Sequence, residues 1–301
     1  MSAEIVVEVV ERPAWRSVVA AFSALRPQQW TKNLLLFAGI VFAAKLGDAS
    51  RWVEAGAAFA AYCAASSAAY LVNDVRDREA DRVHPLKQRR PVARGDLSVR
   101  TALVLAAVLA IVALVLAVAL GGESVALLGA FACLQAAYSL RLKHVVLVDV
   151  AVIASLFVVR AAAGAVAVRV PISPWLLVCT GLLALFLALG KRRGELVLVE
   201  SQAAPGRPVL DGYSLQSVDR MGMVVAFATV VVYSAYTVSA HDSRALPATI
   251  LFVVFGLFRY VHLIRRRGLG EEPDQVLVTD KPILVAVALW VAACAAVLAA
   301  G

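Results

Sequence analysis

Long apolar runs separated by short charged stretches set the pattern of this 301-residue chain. Such runs match helices crossing a hydrocarbon layer about 30 Å thick, which takes about 20 residues at 1.5 Å each. Nine spans are predicted, at 33–47, 53–73, 101–120, 123–140, 145–163, 174–190, 221–240, 245–264 and 281–300. The first is the shortest, because Lys32 and Lys45 bracket it. The expected fold is an all-α, polytopic membrane protein with nine transmembrane helices. A cytosolic N-terminal segment over 1–32 precedes a single membrane domain over 33–300.

Composition agrees, with 61% hydrophobic residues and a mean hydropathy of +0.81. Glu4, Glu8, Glu11, Arg12 and Arg16 interrupt the first 25 residues, so no cleavable signal peptide is expected. Cys63, Cys133, Cys179 and Cys294 each lie in an apolar run without metal-ligand spacing and read as small buried hydrophobes.

The net charge of +8 is distributed unevenly. Lys45, Arg51, Arg169 and Arg244 fall on one side of the membrane, and Arg160 and Arg259 fall within spans. The rest of the 29 basic residues lie in the N-terminal segment and in the loops after spans 2, 4, 6 and 8. Basic loops stay cytosolic, so the N-terminus is expected inside, the C-terminus outside, and the chain in the inner (plasma) membrane. Topology thereby explains the positive balance, and no nucleic-acid partner is expected. The long inner loops, 74–100 and 191–220, hold most of the polar chemistry. They leave spans 2 and 6, four spans apart, which hints at a repeated four-helix unit.

The first inner loop opens with Asn73, Asp74, Asp77 and Asp81. The acids are spaced i, i+3, i+7 and share one face of a helix continuing from span 2. Three carboxylates on one face repel unless a cation cancels them, and Mg²⁺ bridging to a phosphate does so. Pro85 is expected to stop that helix. Arg82, His84, Lys87, Arg89, Arg90 and Arg94 follow, the kind of basic loop that grips phosphate oxygens. A solvated loop with ion pairs along a helix would give the same composition. His84 reads as a loop hydrogen-bonder rather than a zinc ligand. Arg160 lies deep within span 5, where a charge is costly, and is expected to pair with a site acid or a phosphate. Arg259 sits near a span end and can snorkel.

The run Asn-Asp-x-x-Asp-x-x-x-Asp-Arg, followed by His-Pro-x-Lys-x-x-Arg-Pro-x-Ala-x-Gly, extends from Asn73 to Gly95. It resembles the first acidic motif of the UbiA superfamily of intramembrane prenyltransferases. Tyr138-Ser139 with Lys143 is similar to that family's Tyr-Ser-x-x-x-Lys. The sequence departs from the usual aromatic prenyltransferase after span 6. A second aspartate motif is replaced by Gly190-Lys191-Arg192-Arg193-Gly194-Glu195-Leu196, in which Lys191 and Glu195 are either a surface pair or part of a phosphate site. With Arg26-Pro27-Gln28-Gln29-Trp30-Thr31-Lys32-Asn33, this segment resembles the decaprenyl-phosphate phosphoribosyltransferase branch.

That resemblance implies transfer of 5-phosphoribose from phosphoribosyl pyrophosphate to a polyprenyl (decaprenyl) phosphate, for cell-wall arabinan precursors. It implies Mg²⁺ on Asn73, Asp74, Asp77 and Asp81, with Arg82, Lys87 and Arg90 on phosphate oxygens. Lys191, Arg192 and Glu195 would grip the ribose 5-phosphate and hydroxyls, with Tyr138 and Lys143 nearby. Arg26, Lys32, Asn33 and Arg160 would face the lipid phosphate. Self-association stays open. An aromatic prenyltransferase, or a lipid or solute transporter, remains an alternative. Transporters place polar residues at mid-span, whereas here they gather at one membrane edge.

Overall fold

The computed structural model describes residues 14–43, 45–84, 87–201, 208–239, 245–267, 276 and 279–300. Glu4, Glu8, Glu11, Arg12, Pro85 and Arg244, invoked above, lie outside these. No strand occurs among the described residues, and eight helices are long and apolar enough to cross a membrane. The chain begins with α1 (Ala14–Ala24), a 3₁₀ stretch (Pro27–Phe37) and α2 (Ala38–Phe42). Then follow α3 (Ala49–Arg76), α4 (Arg78–Val83), α5 (Pro91–Arg94), α6 (Val99–Leu120), α7 (Gly122–Leu140) and α8 (Val148–Ala167). The chain continues through α9 (Pro174–Glu200), α10 (Leu215–Ser239), α11 (Ile250–Arg267) and α12 (Lys281–Ala300).

The helices pack as two quartets. Tyr62 of α3, Ala113 of α6, Phe131 of α7 and Leu156 of α8 share one core. Phe186 of α9, Leu257 of α11 and Ile283 of α12, with Val225 of α10 against them, share another. The quartets join where α8 packs on α9. In lipid, helices gain little from apolar contact alone, so close approach relies on small residues. Ala102, Ala106, Ala113 and Ala117 form such a stripe on α6, which packs on α3. Val104, Val108, Ile111, Val115 and Val118 of α6 are exposed, as a lipid-facing surface requires.

The predicted first span differs from a regular helix. Residues 27–42 form eleven residues of 3₁₀ helix and five of α-helix. A 3₁₀ run beyond three or four residues is uncommon. Arg26 enters it in the left-handed region (φ 55°, ψ 60°), Pro27 follows, and Lys32 and Asn33 break the apolar pattern. At about 2.0 Å per 3₁₀ residue and 1.5 Å per α residue, the segment still extends roughly 30 Å. It lies against α3 and α8, burying Asn33, Leu36 and Ile40. Two glycines allow the crossing. A Cβ on Gly164 would sit 2.3 Å from the Leu36 carbonyl oxygen, and one on Gly39 would sit 3.0 Å from Ala165 Cα.

Two more boundaries shift. α9 continues to Glu200, so Lys191–Glu195 is helix rather than loop. The acidic segment is not one straight helix: Asp77 (φ −91°, ψ 7°) ends α3 and starts α4.

Candidate functional site

Asp74 occupies the last turn of α3, with its side chain 2% exposed. The bend at Arg26 delivers a guanidinium to it, with Nη2 2.5 Å from Oδ1 and the group lying over the Tyr70 ring at 4.8 Å. Arg90, just before α5, places Nη1 3.2 Å from Asp74 Oδ1 and 2.6 Å from Asp81 Oδ2, so one guanidinium joins both acids. Asp74 Oδ2 is buried without a hydrogen-bond partner. The break at Asp77 turns that carboxylate away to Arg76, 3.1 Å distant. The expected single face is thus divided, with Asp74 and Asp81 sharing Arg90 while Asp77 stands apart.

The other predicted groups of this half sit close by. Asn73 donates its amide to Ser139 Oγ at 3.1 Å, which leaves its carbonyl oxygen as an acceptor. Arg82 holds Glu79 through 2.9 and 3.1 Å contacts and the Ala93 carbonyl at 3.2 Å. Lys87 lies on a short 3₁₀ turn, and its N–H donates to His84 Nδ1 at 3.3 Å, so His84 is the loop hydrogen-bonder expected. Lys32 donates to Gln29 at 2.6 Å.

A second constellation is built at the same end of the bundle. Arg192 of α9 is wholly buried. Its Nε lies 2.7 Å from Asp149 Oδ2, its Nη1 contacts Glu195, and its Nη2 donates to the Tyr138 hydroxyl at 3.3 Å. Tyr213 donates to Asp149 Oδ1 at 2.6 Å and accepts the Leu147 N–H at 2.7 Å. Arg192, expected on a substrate phosphate, is here buried on the two carboxylates. Lys191 and Lys143 are half-buried.

The two halves meet at the end of α7. Ser139 receives Asn73 on its hydroxyl and Arg76 on its carbonyl at 3.0 Å, while the preceding Tyr138 receives Arg192. Adjacent Cα atoms are 3.8 Å apart, so the acidic and basic halves border one site.

Arg160 belongs to α8. It lies deep in the bundle, where Nε donates to Asn33 Oδ1 at 2.8 Å and Nη1 to the Leu156 carbonyl at 3.1 Å. Its guanidinium faces the Phe131 and Phe157 rings at 4.7 and 5.3 Å. Asn33 also donates to Cys63 Sγ at 3.3 Å. Arg160 and Asn33 therefore fasten the 3₁₀ stretch to α8. Sequence reasoning missed Asp149, Tyr213 and the bridging role of Ser139. One signal was available for the first: an acid in the opening turn of an otherwise apolar span.

Residues 34–279 match the model described as the UbiA prenyltransferase family. The chain belongs to the UbiA family. A protein of Corynebacterium glutamicum named decaprenyl-phosphate phosphoribosyltransferase is 35% identical over 279 residues, covering 89% of this chain and 83% of that protein. One of the same name from Mycobacterium tuberculosis is 32% identical over 300 residues, covering 98% and 99%. In fold, the chain is similar to a UbiA homolog from Archaeoglobus fulgidus solved with GPP and Mg²⁺. The TM-score is 0.72 at 18% identity, covering 93% of this chain and 99% of that one.

The UbiA frame raises the question of whether these residues suit a divalent cation. Among the described residues, no three His, Cys, Asp or Glu side chains converge as a ready cage. The fit rests on Asp74 Oδ2, because a buried carboxylate oxygen without a donor calls for a cation. Mg²⁺ keeps waters and substrate phosphates among its ligands, so one or two carboxylates suffice. Asp74 and Asp81, with the Asn73 carbonyl beside them, form such a set. Asp77 would join it only by leaving Arg76.

Proposed function

We propose that this chain transfers 5-phosphoribose from phosphoribosyl pyrophosphate to decaprenyl phosphate or a similar polyprenyl phosphate, releasing pyrophosphate. The observation that carries this reading is the near-full-length similarity to relatives of that name at 32–35% identity. The site chemistry supports it. The half opposite the acids is a buried arginine compensated by Asp149 and Glu195, not a second set of metal-binding acids.

Asp74, Asp81 and Asn73 would hold Mg²⁺ against the diphosphate, with Asp77 recruited from Arg76. The bound metal would neutralise the diphosphate and make pyrophosphate a better leaving group. Arg26 and Arg90 exchange their carboxylate partners for phosphate oxygens, aided by Arg82 and Lys87 from the loop. Lys191 and Lys143 meet the ribose 5-phosphate, and Glu195 and Tyr138 orient ribose hydroxyls. Lys32, at the membrane edge, meets the lipid phosphate. That phosphate is already an anion near neutral pH, so its attack on the anomeric carbon needs no strong base. The site faces the cytosol of the inner membrane with the N-terminus inside, and the product serves cell-wall arabinan synthesis.

The solved neighbour bound to GPP keeps a second reading in view, with a prenyl diphosphate as the donor. Purified enzyme in detergent is given ribose-labelled phosphoribosyl pyrophosphate or labelled prenyl diphosphate, each with its acceptor. Label from ribose should enter the lipid fraction. Incorporation from prenyl diphosphate alone would overturn the proposal. Turnover in detergent, without two compartments, separates an enzyme from a transporter.

A further inference from the structure

We infer that Asp149 and Tyr213 are positioning residues that act through Arg192 to aim Glu195 and Tyr138 into the site. The inference rests on the proposed transfer only for the identity of the substrate. Its basis is a continuous chain of contacts across four segments. Tyr213 precedes α10, Asp149 opens α8, Arg192 and Glu195 lie on α9, and Tyr138 lies near the end of α7. The phenol accepts from Leu147 N–H at 2.7 Å and donates to Asp149 at 2.6 Å. Asp149 meets Arg192 at 2.7 Å, and Arg192 takes Glu195 and Tyr138 with its two remaining nitrogens.

Three features mark this chain as built for placement. Leu147 holds φ at 66°, an outlier for a bulky residue, and that conformation presents its N–H to Tyr213. Gly212 lies so close to Val146 that a Cβ would stand 2.4 Å from Cγ2, so a larger residue would force the Val146 side chain to shift. A guanidinium fork also fixes direction, which a lysine in its place would not. Burial, reinforced by the bond to Asp149, raises the Tyr213 phenol to about 12, so it stays a donor at physiological pH. Glu195 lies at the end of this chain, 12% exposed, where it borders both the buried network and the site.

The test uses Tyr213→Phe, which deletes one hydroxyl and keeps the ring. Full-length wild type and variant are assayed in detergent with labelled phosphoribosyl pyrophosphate and, separately, labelled prenyl diphosphate. The wild type alone reports which donor is used, so failure of the functional reading is seen there. On whichever donor works, Tyr213→Phe should lower kcat about tenfold, because misplacement by a fraction of an ångström suffices. KM for the lipid should stay near wild type, the thermal midpoint should fall by no more than the few degrees that one hydrogen bond to a charged group is worth, and kcat is compared well below both midpoints. Asp149→Asn added to Tyr213→Phe should cost less than the product of the two single effects, since both act through Arg192. An unchanged kcat in Tyr213→Phe overturns the inference. So do fully multiplicative losses, or a loss of kcat that only follows a fallen thermal midpoint.

Discussion

Replacing Gly164 by Ala should disable the site without touching it. The added Cβ would stand 2.3 Å from the Leu36 carbonyl oxygen and 2.8 Å from its carbon and Cα. All three are backbone atoms, so no rotamer change relieves the clash. An ordinary contact needs about 3.4 Å, so the 3₁₀ stretch must retreat by about 1.1 Å. Residues i and i+3 of a 3₁₀ helix eclipse, so the push at Leu36 falls directly on Asn33. Its 2.8 Å bond to Arg160 would then be lost. Overpacking costs about 1–3 kcal/mol, and a hydrogen bond to a charged group about 1.5–3 kcal/mol. The thermal midpoint of the detergent-solubilised protein should fall by several degrees. Arg26, at the head of the same stretch, should lose its 2.5 Å seat on Asp74, and an ångström of misplacement costs about a hundredfold in rate. Gly129→Ala on α7 is the control, because its Cβ meets nothing within 4 Å and alanine favours a helix by about 1 kcal/mol. Wild-type rate and midpoint in Gly164→Ala would refute the argument that this crossing sets the site.

Asp77→Ala should abolish Mg²⁺-dependent label transfer while leaving the fold intact, because among the described residues Asp77 pairs with its exposed neighbour Arg76; an active variant would remove Asp77 from the metal set. Arg90→Ala should destabilise the protein by about 1–3 kcal/mol, less than a fully buried pair because the Arg90 side chain is 27% exposed. Thermal unfolding measures it, and an unchanged midpoint would show that the bridge to Asp74 and Asp81 carries no stability. The ratio of Tyr213→Phe to wild-type activity should be flat from about pH 7 to about pH 9. A phenol raised to about 12 keeps its proton there, and its contribution fades only above the ordinary tyrosine range. Phosphoribosyl pyrophosphate should bind purified protein far more weakly by calorimetry when Mg²⁺ is chelated; equal affinity would remove the metal from the binding mode.

The apolar runs made most of the fold legible, because length and polarity alone decide what can cross a bilayer. They failed at residues 27–42, where hydropathy cannot tell a 3₁₀ stretch from an α-helix. The deciding contacts there are made by Gly164 and Arg160, over a hundred residues away. The acidic segment was legible as a cluster but not as a shape. The spacing of Asp74, Asp77 and Asp81 assumed an unbroken helix, and the turn at Asp77 divides them. Glu195 had two basic neighbours at helical spacing, Lys191 and Arg192. The partner that buries Arg192, Asp149, is supplied by another helix. Asp149 itself was absorbed into an apolar run, where one carboxylate barely changes the hydropathy.

Charge balance links the two halves. Asp74 and Asp81 are matched by Arg26 and Arg90, and Arg192 is shared between Asp149 and Glu195. At a membrane edge, where desolvation makes an unmatched charge expensive, a lone anion or a lone cation would upset that balance. An anionic diphosphate arriving with a divalent cation would not. The arginines can move to phosphate oxygens while the carboxylates, Asp74 Oδ2 first among them, take the cation. The second half has no such exchange available, because Arg192 is wholly buried and holds both its acids. A site in which one half swaps partners and the other is fixed suits a donor with one diphosphate end and one sugar end. In the proposed transfer, the fixed half would set the sugar's orientation while the exchanging half would release the leaving group.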